Sequence, residues 1–168
     1  AGLGKHLFHE RRYREGKVDY LARRHFPEAE WIPELVRLGF LEDITRTIGG
    51  TEVRVEEKRL DARVWHRARH PGMPALPDAR IPSGTFRLDV WPLDQARAGA
   101  ARIPPGTILH LVRVDYGSVP VRVSHQGIVI DKDGQRVLRH AADRMHHRVV
   151  DEPLDRFFSR MQQYKKWP

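Results

Sequence analysis

The chain contains no cysteine among its 168 residues. A disulfide framework is therefore excluded, and no cysteine within these residues can act as a nucleophile. The lack of cysteine does not identify a reducing compartment, because many secreted proteins have none either.

Long apolar runs, repeats and low-complexity tracts are also absent. No stretch approaches the roughly 18 consecutive apolar residues of a membrane span, so none is predicted. The first residues, AGLGKHLFHE, show no initiator methionine and no charged segment followed by an apolar core, so no secretion signal is visible. Since 40% of the residues are apolar, the chain is expected to fold as one globular domain over residues 1–168.

Positive charge is abundant, with a formal net charge of +8. Such a balance indicates an anionic partner, which could be a nucleic acid, an anionic glycan or a membrane surface. The arginines are spread along the chain and interleaved with 22 acidic residues. No helix-turn-helix, aromatic RNA-binding or zinc-finger pattern accompanies them, so no nucleic-acid partner is predicted.

The order of the periodic segments predicts the fold class α+β. HLFHERRYREG is expected to form a helix that ends near Gly16, and residues 33–38 a second short helix. Alternation in TEVRVEEKRL indicates a half-buried strand, and the last third of the chain reads as strands separated by turns. DEPLDRFFSRMQQY is expected to be a final helix that begins near Asp151 or Asp155. Helices early and an antiparallel sheet late are typical of α+β proteins.

The segment VSHQGIVIDKDGQRVLRHAA, residues 123–142, predicts a β-hairpin that carries one histidine on each strand, His125 and His140. With a four-residue connection, the two histidines are direct cross-strand neighbours with Cβ atoms ~4.5–5.5 Å apart. With a two-residue Asp133–Gly134 turn, His140 faces Gly127 instead. The histidines are then diagonal to each other on the same face. Only a loop of odd length separates them, because side chains alternate with period two.

Neighbouring imidazoles suit acid–base chemistry. One ring can act as general base and later as general acid, while the other fixes its tautomer and orientation, as in a nucleophilic triad. Gly127 on the same face leaves room for a substrate or another backbone. Two alternatives stay open: a purely structural pair, since the chain has 10 histidines, and a metal site. A metal would need further ligands, for which His110, His146 and His147 are available, but no HExxH spacing supports one.

The hairpin resembles the NlpC-type, papain-like cysteine amidases of bacterial cell walls. Their pattern is a strand reading H-x-G-I, a short turn and a strand ending in H-A, which HQGI and RHAA match here. The chain is more closely similar to the AmiA-like N-acetylmuramoyl-L-alanine amidase family. The similar segments follow the family order over nearly the whole chain: RYREGKVDYLARRH with EW, LEDITRTIGG, HPGMPAL, RIPPGTILHLV, the hairpin and VVDEPLDRFF.

The resemblance implies a fold and an activity. The fold would be a papain-like, NlpC-type core with N-terminal helices and a C-terminal antiparallel sheet forming a partial barrel. The activity would be hydrolysis of the amide that joins the lactyl group of muramic acid to L-alanine in peptidoglycan fragments or muropeptides. It would take place in the periplasm or cell envelope, and neither a metal nor an organic cofactor is implied.

The resemblance also assigns roles to individual residues. His125 matches the catalytic base, and His140 matches the polar residue that orients the base. Tyr20, Arg23 and His25 fall on the family's Y-x-x-R-x-H stretch, which borders the active-site cleft, so they are candidate substrate contacts. Gly127 joins these substrate contacts on the geometric argument given above.

The nucleophile is where the chain departs from the family pattern. The family uses a cysteine at the start of a helix before the RYREG segment, and this helix is expected to be missing from the chain. Either the cysteine lies before residue 1, or catalysis has been lost and the protein is a non-catalytic wall-binding or regulatory module. A basic nucleic-acid- or metal-binding protein is the third alternative. Ser124 is no substitute, because it neighbours His125 and points to the opposite face of the strand.

Overall fold

The computed structural model describes residues 13–18, 26–68, 75–117, 119–142, 148–165 and 167. Within these residues the chain divides into two compact units. One consists of Ala1–Asp43, Lys58–Phe86 and Gly117–Val121, and the other of Ile44–Glu57, Arg87–Tyr116 and Arg122–Pro168. The expectation of a single domain over residues 1–168 remains a prediction.

The described residues form five α-helices and eight strands. The helices are α1 (Ile32–Arg37), α2 (Thr45–Gly49), α3 (Ala62–Ala68), α4 (Leu93–Ala98) and α5 (Leu154–Gln162). The strands are β1 (Tyr13–Arg14), β2 (Lys17–Val18), β3 (Arg54–Leu60), β4 (Gly84–Val90), β5 (Ile108–Val112), β6 (Val123–Lys132), β7 (Gln135–Ala142) and β8 (Arg148–Pro153). β1 pairs with β2, β3 pairs with β4, and β5 to β8 form a four-stranded sheet.

A hairpin turn lies where the sequence predicts the end of a helix. β1 and β2 pair antiparallel, with Tyr13 opposite Val18. The two residues between the strands, Glu15 and Gly16, have φ angles of 51° and 76°. Two consecutive residues with positive φ are typical of a type I′ hairpin turn. The predicted helix end near Gly16 is therefore wrong, because the glycine serves a turn between strands.

The first unit has an apolar core of its own. Phe26 and Trp65 are buried and meet edge to face, with ring centroids 5.0 Å apart. Such an aromatic pair contributes about 0.5–1.5 kcal/mol beyond its buried area. The short helix predicted over residues 33–38 is confirmed as α1, which has Pro33 in its first turn. Proline is tolerated there because its missing N–H would have no partner within the helix.

The second unit is built on an open antiparallel sheet. Its strands lie in the order β5-β6-β7-β8, so that β5 and β8 are the two edges. This order confirms the α+β class with an antiparallel sheet late in the chain. Among the described residues the sheet does not close into a barrel, because the edge strands β5 and β8 do not pair with each other, and the expected partial barrel remains a prediction.

The turn between β6 and β7 sets the register of the two histidines. Lys132 pairs with Gln135, so only Asp133 and Gly134 connect the strands. Both connecting residues have positive φ, 53° and 77°, and Asx-Gly is the preferred sequence for this turn. The two-residue register is therefore the correct alternative, and the four-residue connection is wrong.

Helix α5 covers one face of this sheet. Its apolar side is fully buried, as the spacing of its residues predicts. The buried core of the second unit consists of Leu93, Ala96, Ile103, Leu111, Val129, Leu138, Leu154, Phe157, Phe158 and Met161. The helix begins at Leu154, because the preceding residues Arg148–Pro153 pair with β7 as a strand. Of the two predicted starts, the one near Asp155 is therefore confirmed and the one near Asp151 is wrong.

No helix among the described residues combines the length and the apolar character needed to cross a membrane.

Candidate active site

Three neighbouring strands place polar side chains on the sheet face that α5 covers. His140 of β7 lies between Gly127 of β6 and Val150 of β8 in the register of the sheet. His125 is two residues from Gly127 on β6, and Glu152 is two residues from Val150 on β8. Alternation along the strands therefore puts both side chains on the same face as His140. The predicted common face of the two histidines is therefore confirmed.

The side chains form one continuous row of hydrogen bonds, which we name the histidine row: His125, His140, Glu152 and Arg160. Nε2 of His125 lies 2.9 Å from Nδ1 of His140. Nε2 of His140 lies 3.1 Å from Oε2 of Glu152. Arg160 of α5 donates from Nε to Oε1 and from Nη2 to Oε2 of Glu152, at 3.0 and 2.6 Å. The row thus runs from the half-buried imidazole of His125 to the guanidinium of Arg160, which donates two hydrogen bonds to the carboxylate of Glu152.

The carboxylate of Glu152 determines where the protons lie when both imidazoles are neutral. An ionised carboxylate only accepts hydrogen bonds, so Nε2 of His140 must donate to Glu152. Nδ1 of the neutral His140 ring then accepts, and Nε2 of His125 donates to it. This leaves Nδ1 of His125 with a free lone pair, as a general base requires.

Aromatic packing holds both imidazoles in place. The His125 ring stacks on Phe157 of α5, with centroids 6.1 Å apart and planes at 26°. The His140 ring meets Phe157 at an angle of 65° and a centroid distance of 5.5 Å. His140 is only 5% exposed, whereas His125 is half-buried and therefore the more accessible of the two.

Gly127 lets the two strands approach where His140 lies. A Cβ at this position would come within 2.8 Å of Leu138 Cγ and 2.9 Å of both Arg139 O and His140 Cβ. The space beside Gly127 is thus filled by the neighbouring strand β7. Its predicted role as a substrate contact remains a prediction.

Charges and burial act on the row in opposite directions. Burial lowers the pKa of His125, His140 and Arg160 lower it further, and the negative charge of Glu152 opposes the shift. Burial alone would raise the pKa of Glu152, but the hydrogen bonds and charge of Arg160, with a contribution from His140, bring it below the usual value. Glu152 therefore stays ionised, and His125 stays neutral under conditions where a free imidazole begins to protonate.

Ser124 is engaged in other bonds, as expected of a strand residue. Its hydroxyl donates to the carbonyl oxygen of Leu111 at 3.0 Å and accepts from the indole N–H of Trp167 at 3.0 Å. Neither contact joins Ser124 to the histidine row.

Most of the other predicted site residues are not among those that the structure describes. Tyr20, Arg23 and His25 are outside the described residues, and their substrate contacts remain predictions. The same holds for His146 and His147 as metal ligands. His110 pairs with Gln126 and therefore belongs to the opposite face from His125. Among the residues that the structure describes, no three or more of His, Cys, Asp and Glu are arranged to hold a metal ion.

Sequence reasoning missed Glu152 and Arg160. Both belong to a segment that was expected to be one helix, whereas Glu152 lies on strand β8 and only Arg160 on α5. The signal for the strand was present in Val149 and Val150, four and three residues before Pro153, since β-branched residues favour strands and proline interrupts them.

A family model describes the same chain. The model of AmiA-like, N-acetylmuramoyl-L-alanine amidase-like proteins matches residues 5–163. Among curated proteins, none matches the chain significantly.

Solved structures with a similar fold are longer than this chain. A Legionella pneumophila protein of the family model DUF1460 has a TM-score of 0.75 at 17% identity, over 94% of this chain and 63% of that one. A Bacteroides fragilis protein, provisionally described as a xylanase, has a TM-score of 0.63 at 26% identity, over 94% and 69%. An N-acetylmuramoyl-L-alanine amidase from Bacteroides uniformis has a TM-score of 0.63 at 25% identity, over 94% and 67%.

Proposed function

The chain belongs to the AmiA-like family of N-acetylmuramoyl-L-alanine amidase-like proteins, and from this premise we propose that it provides the acid–base part of a peptidoglycan amidase. The bond cleaved is the amide between the lactyl group of muramic acid and L-alanine of the stem peptide. The substrate is a cell-wall fragment, and the place of action is the periplasm or cell envelope.

The histidine row is the observation that carries this proposal. His125 offers an unprotonated Nδ1, and its other nitrogen is held 2.9 Å from His140. A general base needs both an available lone pair and a fixed ring orientation, and one hydrogen-bonded row supplies both.

A cysteine outside these 168 residues is the proposed nucleophile, since the chain itself has none. It would lie at a helix N-terminus, where the helix dipole and protonated His125 lower the pKa of its thiol. The fold would then correspond to a papain-like, NlpC-type core. The proposal of a further segment is supported by similar solved structures, which leave about a third of their own length unmatched by this chain.

The reaction proceeds in two steps through a thioester. The thiolate attacks the lactyl carbonyl carbon, backbone N–H groups stabilise the oxyanion, and protonated His125 donates its proton to the leaving nitrogen of L-alanine. Water then attacks the thioester while His125 accepts its proton, which releases the muramic acid carboxylate and restores the thiolate. His140 keeps the His125 ring oriented throughout.

Substrate contacts are proposed on the same basis. Tyr20, Arg23 and His25 match the family stretch that borders the cleft, and Gly127 lies next to the row. The net charge of +8 suits a wall fragment with free carboxylates.

Glycoside hydrolysis, suggested by the name of the Bacteroides fragilis protein, is less well supported. It ordinarily requires two carboxyl groups on either side of the scissile bond, one of them protonated as the acid. The carboxylate of the row, Glu152, accepts two hydrogen bonds from Arg160 and has a lowered pKa, so it is unsuited to donate a proton.

The test is the activity of a cysteine-containing longer form of the protein. With His125→Ala, release of stem peptide from a muropeptide should fall by at least about 100-fold, because general acid–base catalysis is lost. Mass spectrometry would detect the peptide by its new N-terminal L-alanine. His66→Ala, an exposed histidine of α3, is the matched control and should retain activity.

Two results would overturn the proposal. Full activity of His125→Ala would remove the assigned base. A reading frame without any cysteine upstream of residue 1 would favour the non-catalytic wall-binding or regulatory module instead.

A further inference from the structure

Glu152 is the member of the histidine row that the family pattern does not explain. Its side chain is 14% exposed and lies beneath α5 at the end of β8. Both of its oxygens accept hydrogen bonds from Arg160, and Oε2 also lies 3.1 Å from His140. Burial of a carboxylate costs free energy unless it is paired, and here the pairing partner and the histidine contact the same group.

If Glu152 only connected α5 to β8, the hydrogen bonds from Arg160 would be sufficient. They already join the helix to the strand and neutralise the carboxylate. The additional contact with Nε2 of His140 gives the pair an influence on the protons of both imidazoles.

From this geometry we propose that Glu152, held in place by Arg160, is a positioning residue that fixes the tautomers of His140 and His125, and thereby keeps Nδ1 of His125 free as the base. The inference rests on the function proposed above only for its catalytic consequence. The tautomers themselves are properties of the folded chain.

The direction of the hydrogen bond between the imidazoles is the property that Glu152 controls. If His140 carried its proton on Nδ1, it would donate to Nε2 of His125. The proton of neutral His125 would then lie on Nδ1, and the base would be lost. A carboxylate beside Nε2 of His140 excludes this arrangement, because it cannot donate.

The pair also sets the charge around His125. The titratable and charged groups that face it among the described residues are His140 of β7, Glu152 of β8 and Arg160 of α5. The neighbour from β5 is Leu111, which carries no charge. Glu152 favours the protonated form of His125, whereas Arg160 disfavours it. Removing Glu152 and removing Arg160 should therefore shift the titration of His125 in opposite directions.

Ring-nitrogen NMR of 15N-histidine-labelled chain tests the proposal without any activity. In the wild-type protein above the titration range, Nε2 should be protonated and Nδ1 unprotonated in both His125 and His140. A wild-type spectrum with Nδ1 of His140 protonated would overturn the proposal, whatever the behaviour of variants.

Variants separate positioning from a structural tie. In Glu152→Gln the side-chain amide can present either its oxygen or its NH2 group, so the tautomers should become mixed and the His125 midpoint should fall. In Arg160→Gln the tautomers should persist, because Glu152 still accepts, while the His125 midpoint should rise.

Asp151→Asn is the matched control. Asp151 is the adjacent carboxylate on β8, also paired with arginine, but its register partner is Arg139 and it belongs to the opposite face. Neither tautomers nor midpoint should change in this variant. If Glu152→Gln behaves like Asp151→Asn, Glu152 has no positioning role.

In the cysteine-containing protein, Glu152→Gln should lower kcat by roughly tenfold or more with little change in KM, because part of the base is in the wrong tautomer. A loss through KM alone would contradict positioning. If the NMR results hold but no amide hydrolysis is detected, the proposed amidase function fails and the positioning role stands. If hydrolysis is found but the tautomers are unchanged in Glu152→Gln, the proposed amidase function stands and the positioning role fails.

Discussion

Two adjacent carboxylates of β8 have similar exposure but different surroundings. The side chain of Asp151 is 17% exposed and that of Glu152 is 14%. Asp151 binds Arg139 and Lys132, which remain largely exposed themselves. Glu152 binds Arg160 under α5 and contacts His140.

The comparison shows how a carboxylate in the histidine row differs from one in a surface ion pair. The hydrogen bond and charge of Arg139, with help from Lys132, hold the pKa of Asp151 well below its usual range. A lowered pKa is thus present on both faces, and it does not by itself identify a functional site. The contact with His140 is what distinguishes Glu152 from Asp151.

The largest expected difference comes from removing each arginine. Arg160→Met leaves Glu152 as an uncompensated charge under α5 and should lower the free energy of unfolding by about 2 kcal/mol. Arg139→Met on the opposite face should have a clearly smaller effect, since exposed ion pairs contribute little. Urea denaturation of both variants checks the difference, and equal losses would mean that the two faces are electrostatically alike.

A second prediction concerns how closely the strands approach at the row. Gly127→Ala places a methyl group less than 3 Å from a backbone oxygen and from His140, and should cost about 2 kcal/mol of stability. The comparison variant is Gly134→Ala, which meets no atom within 4 Å but has a φ of 77°. It should cost about 1 kcal/mol from backbone strain alone.

Thermal or urea unfolding measures both variants. The Gly127→Ala variant should in addition disturb the ring signals of His140, whereas Gly134→Ala should leave them in place. Identical spectra for the two variants would contradict the close packing at Gly127.

The smallest predicted effect is the pH dependence of stability. The lowered pKa of His125 means that the folded chain binds its proton less readily than the unfolded chain, so stability is lost as pH falls below about 6.5. The lowered pKa of Glu152 causes a second loss as pH falls below about 4.5.

Variants assign the two acid steps to their residues. Denaturation from pH 8 to 3 should show the upper step reduced in His125→Gln and the lower step reduced in Glu152→Gln. His66→Gln, outside the histidine row, is the control and should keep both. A free energy of unfolding that stays constant between pH 7 and 5 would contradict the lowered pKa of His125.

The central hairpin could be predicted from the sequence because its determinants are local. Asp133–Gly134 suits a type I′ turn, and period-two alternation then fixes His125 and His140 on one face. The apolar spacing of α5 was equally informative, since it places Phe157 and Phe158 on one side of the helix, and both are buried.

Glu152 could not be found in the same way. Its role depends on β8 pairing with β7 and on α5 folding back over the sheet, which are long-range contacts that no local pattern specifies. The β1–β2 hairpin was missed for a different reason. Gly16 can end a helix or form a turn, and its neighbours do not distinguish the two.

The most direct test of the whole account is a crystal structure of the cysteine-containing protein. We expect the cysteine sulfur within ~3–4 Å of Nδ1 of His125, on the side of the ring away from His140. A sulfur remote from this nitrogen, or aliphatic side chains packed against it, would contradict the assignment of the histidine row as the base of an amidase.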